Sequence, residues 1–201
     1  MKDETYVPWS LMTQSGLRPL QDAMNQKERS TKVFRCYQSH LVPGLLQTPA
    51  YAAAVMGAII AFEAMPDDTE EAVAARMRRQ HVLHEDGLTF MLVIEEWVLR
   101  AQIGGATVMG EQLDRLDQVT AMPRVSLGVI PMNATRPMRP VAGFWIFDDA
   151  EVTHELCAGS VRITTPAEID IYARTHAELA GMAVYGEQAR ALIEDARVAL
   201  G

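Results

Sequence analysis

Two adjacent carboxylates, Glu95 and Glu96, close an apolar run and are followed at once by Trp97 and then by Arg100. A carboxylate drawn into an apolar cleft loses hydration that its charged form needs, so its pKa rises and it becomes a usable general acid or base. His154 and Glu155 form a second adjacent titratable pair, on a stretch that reads as a strand. Successive strand residues point to opposite faces, so neither pair can send both members to water while its strand stays paired. Glu95, Glu96 and His154 are therefore the candidate catalytic groups, for a proton-transfer isomerisation or cyclisation. Trp97 and Trp145 offer flat apolar walls, and Arg100, Glu155, Tyr37 and Arg79 complete the ligand-binding set. A plainer reading stands beside this one. The charges mark where a strand meets water, or Glu96 or Glu155 forms a salt link with Arg100 or with an arginine of the 76–79 segment.

Other chemistries find no support. There is no phosphate-cradling glycine loop and no nucleophile elbow. His81 and His84 are three residues apart on a predicted helix without a third ligand, and Cys36 and Cys157 fit no metal spacing, so no metal and no cofactor is expected. The formal charge of −8 argues against nucleic acid as a partner, because phosphate binding needs clustered Lys and Arg. The only lysines are Lys2, Lys27 and Lys32. Both cysteines read as buried thiols of a reducing compartment. The amino terminus is polar and unlike a signal peptide, and the longest apolar stretch, 50–64, is too short to cross a membrane. A cytoplasmic protein is expected. Its 12 methionines fit an irregular core, and also a pocket for apolar ligands.

The elements that must position these groups follow from periodicity. The run from Leu88 to Gly105 reads as a central strand delivering charged groups at its end. Residues 32–38 alternate as a half-buried strand, with Val33, Arg35 and Tyr37 on one face and Phe34 and Cys36 on the other. Pro19–Arg29 spells a helix. Thr48 and Pro49 start another, with a stripe of Tyr51, Val55, Ile59 and Phe62. Further helices span Glu70–His84 and Ala106–Ala121. A strand follows at 124–130, then a long proline-rich loop at 131–142 that is either a lid or disordered. Residues 143–157 read as a hairpin turning at 148–150, and 160–163 as a short strand. Thr165-Pro-Ala-Glu168 is a capping-box pattern that opens a helix ended by Gly181, and a last helix covers 186–200. The expected architecture is α+β: a small mixed or antiparallel sheet of about four to five strands, packed with four to six helices. An N-terminal arm, 1–30, partly helical and anchored by Trp9, precedes a single ligand- or partner-binding domain at 31–201.

Four ordered stretches carry a resemblance. They are Leu41-Val-Pro-Gly-Leu-Leu-Gln-Thr-Pro-Ala-Tyr-Ala52; Val73, Arg76, Arg79, Gln80 and Leu83 at helical spacing; Ile94-Glu-Glu-Trp-Val-Leu-Arg-Ala-Gln-Ile-Gly-Gly105 with the following Val-Met-Gly-Glu-Gln-Leu; and Arg124-Val-Ser-Leu-Gly-Val-Ile-Pro131. Together they resemble the uncharacterised C-terminal domain of actinobacterial helix-turn-helix, antitoxin-like transcriptional regulators, across residues 32–200. Residues 1–30 are too few for the DNA-binding half, and Trp97 departs from the small residue usual beside the acidic pair. The resemblance implies regulatory descent and α+β architecture and supplies no catalytic residues. Two functions follow as expectations. One is a stand-alone module binding a small apolar molecule or a small partner protein, as a possible homodimer. The other is a cofactor-independent enzyme of secondary metabolism that uses the same pocket. A purely structural dimerisation domain, paired through the last two helices, is a third.

Overall fold

The computed structural model describes residues 4–201; the first three residues of the expected arm lie outside the described residues. Seven strands form one mixed sheet: β1 (Glu4–Pro8), β2 (Val33–Gln38), β3 (Thr89–Glu95), β4 (Val125–Ile130), β5 (Phe144–Phe147), β6 (Glu151–Leu156) and β7 (Gly159–Ile163). Their order is β1-β7-β6-β5-β2-β3-β4. β2, β3 and β4 run parallel, and every other pairing is antiparallel. Eight α-helices accompany it among the described residues: α1 (Trp9–Met12), α2 (Arg18–Arg29), α3 (Pro49–Glu63), α4 (Thr69–Arg79), α5 (Glu96–Arg100), α6 (Ala106–Val119), α7 (Pro166–Met182) and α8 (Gly186–Val198).

This corrects the expected sheet of four to five strands with four to six helices. The short strands of the 143–163 region pair consecutively and join the parallel unit through β5. The segment read as an arm supplies a further strand. Its edge position is fixed by side chains as well as backbone: Trp9 Nε1 donates to the Leu156 carbonyl at 2.8 Å and Tyr6 Oη to the Ala158 carbonyl at 2.9 Å. Gly159 allows the approach, since a Cβ there would lie 2.4 Å from the Val7 carbonyl oxygen.

The crossovers between parallel strands need helices, and α3–α4 and α5–α6 supply them on one face of the sheet. α2 and α8 pack on that same broad face. Its core joins Phe34, Leu92 and Leu127 of the sheet to Tyr51, Leu113 and Ile193 of the helices. The opposite face carries α7 and the 131–142 loop over a second core that includes Tyr37, Val93, Ile146, Val152, Ile169 and Leu179.

Local signals set the helix ends. Thr48 Oγ1 accepts the Tyr51 N–H at 3.2 Å, with Pro49 in the first turn. The buried side of α3 is Tyr51, Ala52, Val55, Met56 and Ile60, while Phe62 is 86% exposed and Ile59 is also exposed. The expected stripe thus holds for Tyr51 and Val55 and fails for Ile59 and Phe62, because α3 is apolar all round and its periodicity does not fix which side is buried. At α7, Thr165 makes no side-chain capping bond, and the helix runs through Gly181 to Met182. Cys36 is buried as expected, but Cys157 is exposed, because it sits in the turn between β6 and β7.

Candidate functional site

β3 ends where its last residue, Glu95, takes the N-cap position of α5, and Glu96 becomes the first helical residue. The two carboxylates are therefore not alternating strand residues. Glu96 is 6% exposed. Its Oε1 accepts from Arg100 Nε and Nη2 at 3.1 and 2.7 Å, and its Oε2 from the Met132 N–H at 2.9 Å. Glu95 Oε1 accepts from Tyr37 Oη at 2.7 Å and Arg136 Nη1 at 2.8 Å, and Oε2 from Arg136 Nη2 at 2.5 Å. Both glutamates thus hold the 131–142 loop. Its Ala134, Met138 and Val141 pack on the second core, so the segment is an ordered strap across the sheet.

The electrostatics follow from this knot. Burial pushes the Glu95 carboxyl up, but hydrogen bonds from Arg136 and Tyr37 together with the Arg136 charge outweigh it, and its pKa lies below the ordinary value. The Tyr37 hydroxyl is pushed up, first by burial and then by its bond to the Glu95 carboxylate. Glu95 is held as an anion with both oxygens occupied, which is opposite to what a general acid needs.

Beneath the strap runs a row of rings. Tyr37 and Phe144 have centroids 5.9 Å apart, and Phe144 and His154 likewise 5.9 Å. Tyr172 of α7 meets both Phe144 and His154 edge-on at 5.2 Å. Nδ1 of His154 is buried without a hydrogen-bond partner. Burial lowers the pKa of that ring, against a hydrogen bond to the Gly143 backbone.

The structure thus brings Tyr37, Glu95 and His154 to one face. Trp97 stands apart, 54% exposed on α5, and Arg100 is tied to Glu96. Trp145, Glu155 and Arg79 lie on the broad face. There Arg79 binds Glu28 in a two-pronged buried pair, Nε to Oε2 at 2.9 Å and Nη2 to Oε1 at 2.6 Å. Neighbouring Arg76 donates to Gln21 at 3.0 Å and Gln47 at 2.5 Å, and burial brings its pKa down to about 10. Glu155 is exposed to water, yet the protein crowded around it pushes its carboxyl up against the pull of Arg76 and Arg79. Water that reaches the exposed side chain softens that push.

Sequence reasoning missed the pairing of Arg136 with Glu95, the place of Phe144 and Tyr172 in the ring row, and the Glu28 partner of Arg79. Arg136 lies in the expected 131–142 loop, and nothing local links it to a residue 41 positions away. No group of three or more potential metal ligands stands together among the described residues. No helix among them is long and apolar enough to cross a membrane.

Similarity to solved structures is confined to architecture. NucT from Helicobacter pylori superposes with a TM-score of 0.50 at 8% identity, covering 91% of this chain and 97% of that one, and shows the fold alone. Looser likenesses, both with a TM-score of 0.44, are to a phospholipase D family member, Nuc from Salmonella typhimurium (13% identity, 91% of this chain, 95% of that one), and to the archaeal chromatin protein TrmBL2 (9% identity, 92% and 55%). No curated protein matches the sequence. Residues 21–195 match the family model described as "Domain of unknown function (DUF5753)", and the chain belongs to that family.

Proposed function

We propose that this chain is a non-catalytic binding module that takes a small apolar molecule beneath the 131–142 strap. The molecule would sit against the ring row, in the place held by Ala134, Met138 and Val141. The observation that carries the reading is the Glu95–Arg136–Tyr37 knot, which makes the strap a closure with a polar latch over an apolar floor. The resemblance to effector halves of regulators supports it. The alternative, a cofactor-independent cyclase or isomerase, requires a free carboxyl group, and the engagement of Glu95 and Glu96 favours binding instead.

Magnitudes are compatible with ligand-driven opening. A ligand the size of one aromatic ring buries about 200 Å². At about 25 cal/mol per Å² this contributes roughly 5 kcal/mol. Breaking a charge-assisted hydrogen-bonded contact costs about 1.5–3 kcal/mol.

Titrating the neutral apolar dye Nile red into the wild type, Arg136→Ala and Glu95→Gln tests the reading. Unlatching is expected to tighten dye binding at least fivefold, with altered amide exchange in residues 132–141. Equal affinity in all three proteins, or changed exchange only elsewhere, overturns it.

A further inference from the structure

β4 is the outermost strand on the parallel side of the sheet, and the link from α7 to α8 passes around its free edge. In a parallel ladder, alternate residues turn both backbone groups to the same neighbour. The Phe90 N–H donates to the Arg124 carbonyl at 2.9 Å, so Arg124, Ser126 and Gly128 face β3, while Val125, Leu127 and Val129 face outward. Val129 is matched on the outside: its N–H donates to Val184 at 3.0 Å, and its carbonyl accepts from the Val184 N–H at 2.9 Å. The Val125 N–H donates to the Met122 carbonyl at 3.2 Å. Among the described residues, the Leu127 N–H and carbonyl and the Val125 carbonyl meet no partner.

The reason the pairing stops is local. Gly128 lets the Tyr185 ring lie against the strand, where a Cβ would come within 2.7 Å of it. Gly186, at φ +55°, then turns the chain away into α8. Beside the unmatched groups lies an open depression of about 510 Å³, bordered by Val125, Leu127, Thr89, Thr120, Tyr185 and Gly186.

We infer that this gap docks a short extended peptide segment of a partner protein, which adds to β4 and takes up the backbone bonds of Leu127. The unmatched groups specify a main chain, since one residue offers a donor and an acceptor in the plane of the sheet, two positions from the residue that Val184 already pairs. They also limit its length. A second copy of β4 laid antiparallel and centred on Leu127 would collide with the Val184–Gly186 link, so the occupant is a short stretch or a chain end. Its residue opposite Leu127 shares the broad-face side with Thr120, which suits a small apolar side chain. This docking site does not depend on the ligand reading above.

A display library of unconstrained octapeptides, selected on the full chain, provides the probe. Selected peptides are expected to slow amide exchange at Leu127 at least tenfold and to leave residues 132–141 unchanged. Thr89→Trp, at an exposed border of the depression, is expected to weaken them at least tenfold without altering Nile red binding. Failure to enrich any peptide over the Thr89→Trp protein, or enriched peptides that leave Leu127 exchange unchanged, overturns the inference.

Discussion

Arg136 grips Glu95 with both terminal nitrogens of its guanidinium, at 2.8 and 2.5 Å, and thereby fastens a twelve-residue strap to the end of the strand next to the sheet edge. Arg136→Ala removes that fastening and leaves Glu95 with Tyr37 alone. Partial exposure of the pair moderates the loss, so a destabilisation of about 1–2 kcal/mol is expected by urea denaturation. Faster amide exchange should be confined to residues 132–141. An unchanged midpoint and unchanged exchange would show that the strap is held by its apolar contacts and the Glu96 bond to the Met132 N–H, without Arg136.

The same knot sets a pH dependence. Glu95 has a folded pKa below its ordinary 4.5, so its contribution is present above that value and is lost as pH falls through the lower folded one. His154 and His176, the latter buried on α7 beside the Met91 carbonyl, are both lowered from 6.5, chiefly by burial, so their contribution is present above 6.5 and also drains as pH falls. The two histidines should therefore draw stability down from about pH 6.5, against the opposite contribution of Glu28 and Glu155, whose carboxyls burial pushes up. The gap between wild type and Glu95→Gln should narrow only in the carboxylate range. A gap that widens in acid would contradict the assignment.

On the broad face, Glu28 and Arg79 are 1% and 6% exposed. Removing one partner strands a buried charge, so Arg79→Met should destabilise by about 3–5 kcal/mol. The double variant Glu28→Met with Arg79→Met should recover a large share of that loss. A double variant as unstable as the sum of the singles would mean that the two charges act independently.

Trp97 gives the opposite expectation. With more than half of the residue exposed, Trp97→Ala should shift stability by no more than about 0.5 kcal/mol. It should leave Nile red affinity within twofold. A larger effect on the dye would return Trp97 to the ligand site.

Gly128 has no room for a side chain beneath Tyr185 and Ala183, where a Cβ would lie 2.7 and 2.9 Å from their atoms. Gly128→Ala should cost about 1–3 kcal/mol and speed exchange at Val129 and Val184, because the ring must move and the link moves with it. Unchanged exchange at both amides would separate the ring from the link.

Much of the site was legible in pieces and unreadable as a whole. The apolar run into Glu95 announced a buried strand, and Thr48-Pro49 announced a helix start, because those signals are local. What neighbours Glu95 was settled by Tyr37 and Arg136, which lie 58 and 41 residues away. Likewise, alternation along 151–156 said that His154 and Glu155 would part to opposite faces, but only the sheet order shows which partner each meets. The strand count was underestimated because β1 is a short edge strand inside the segment read as an arm, and its pairing with β7 is decided far along the chain.

The placement of β1 has a consequence for how the molecule is made. Tyr6 lies opposite Val161, so an early-synthesised segment waits for one emerging some 155 positions later before it can dock. Such distant closure comes at a high loop-entropy cost and tends to be slow. During translation β1 would stay unpaired and open to wrong neighbours until β7 emerges, which makes β1 the place where misassembly of nascent chains should begin.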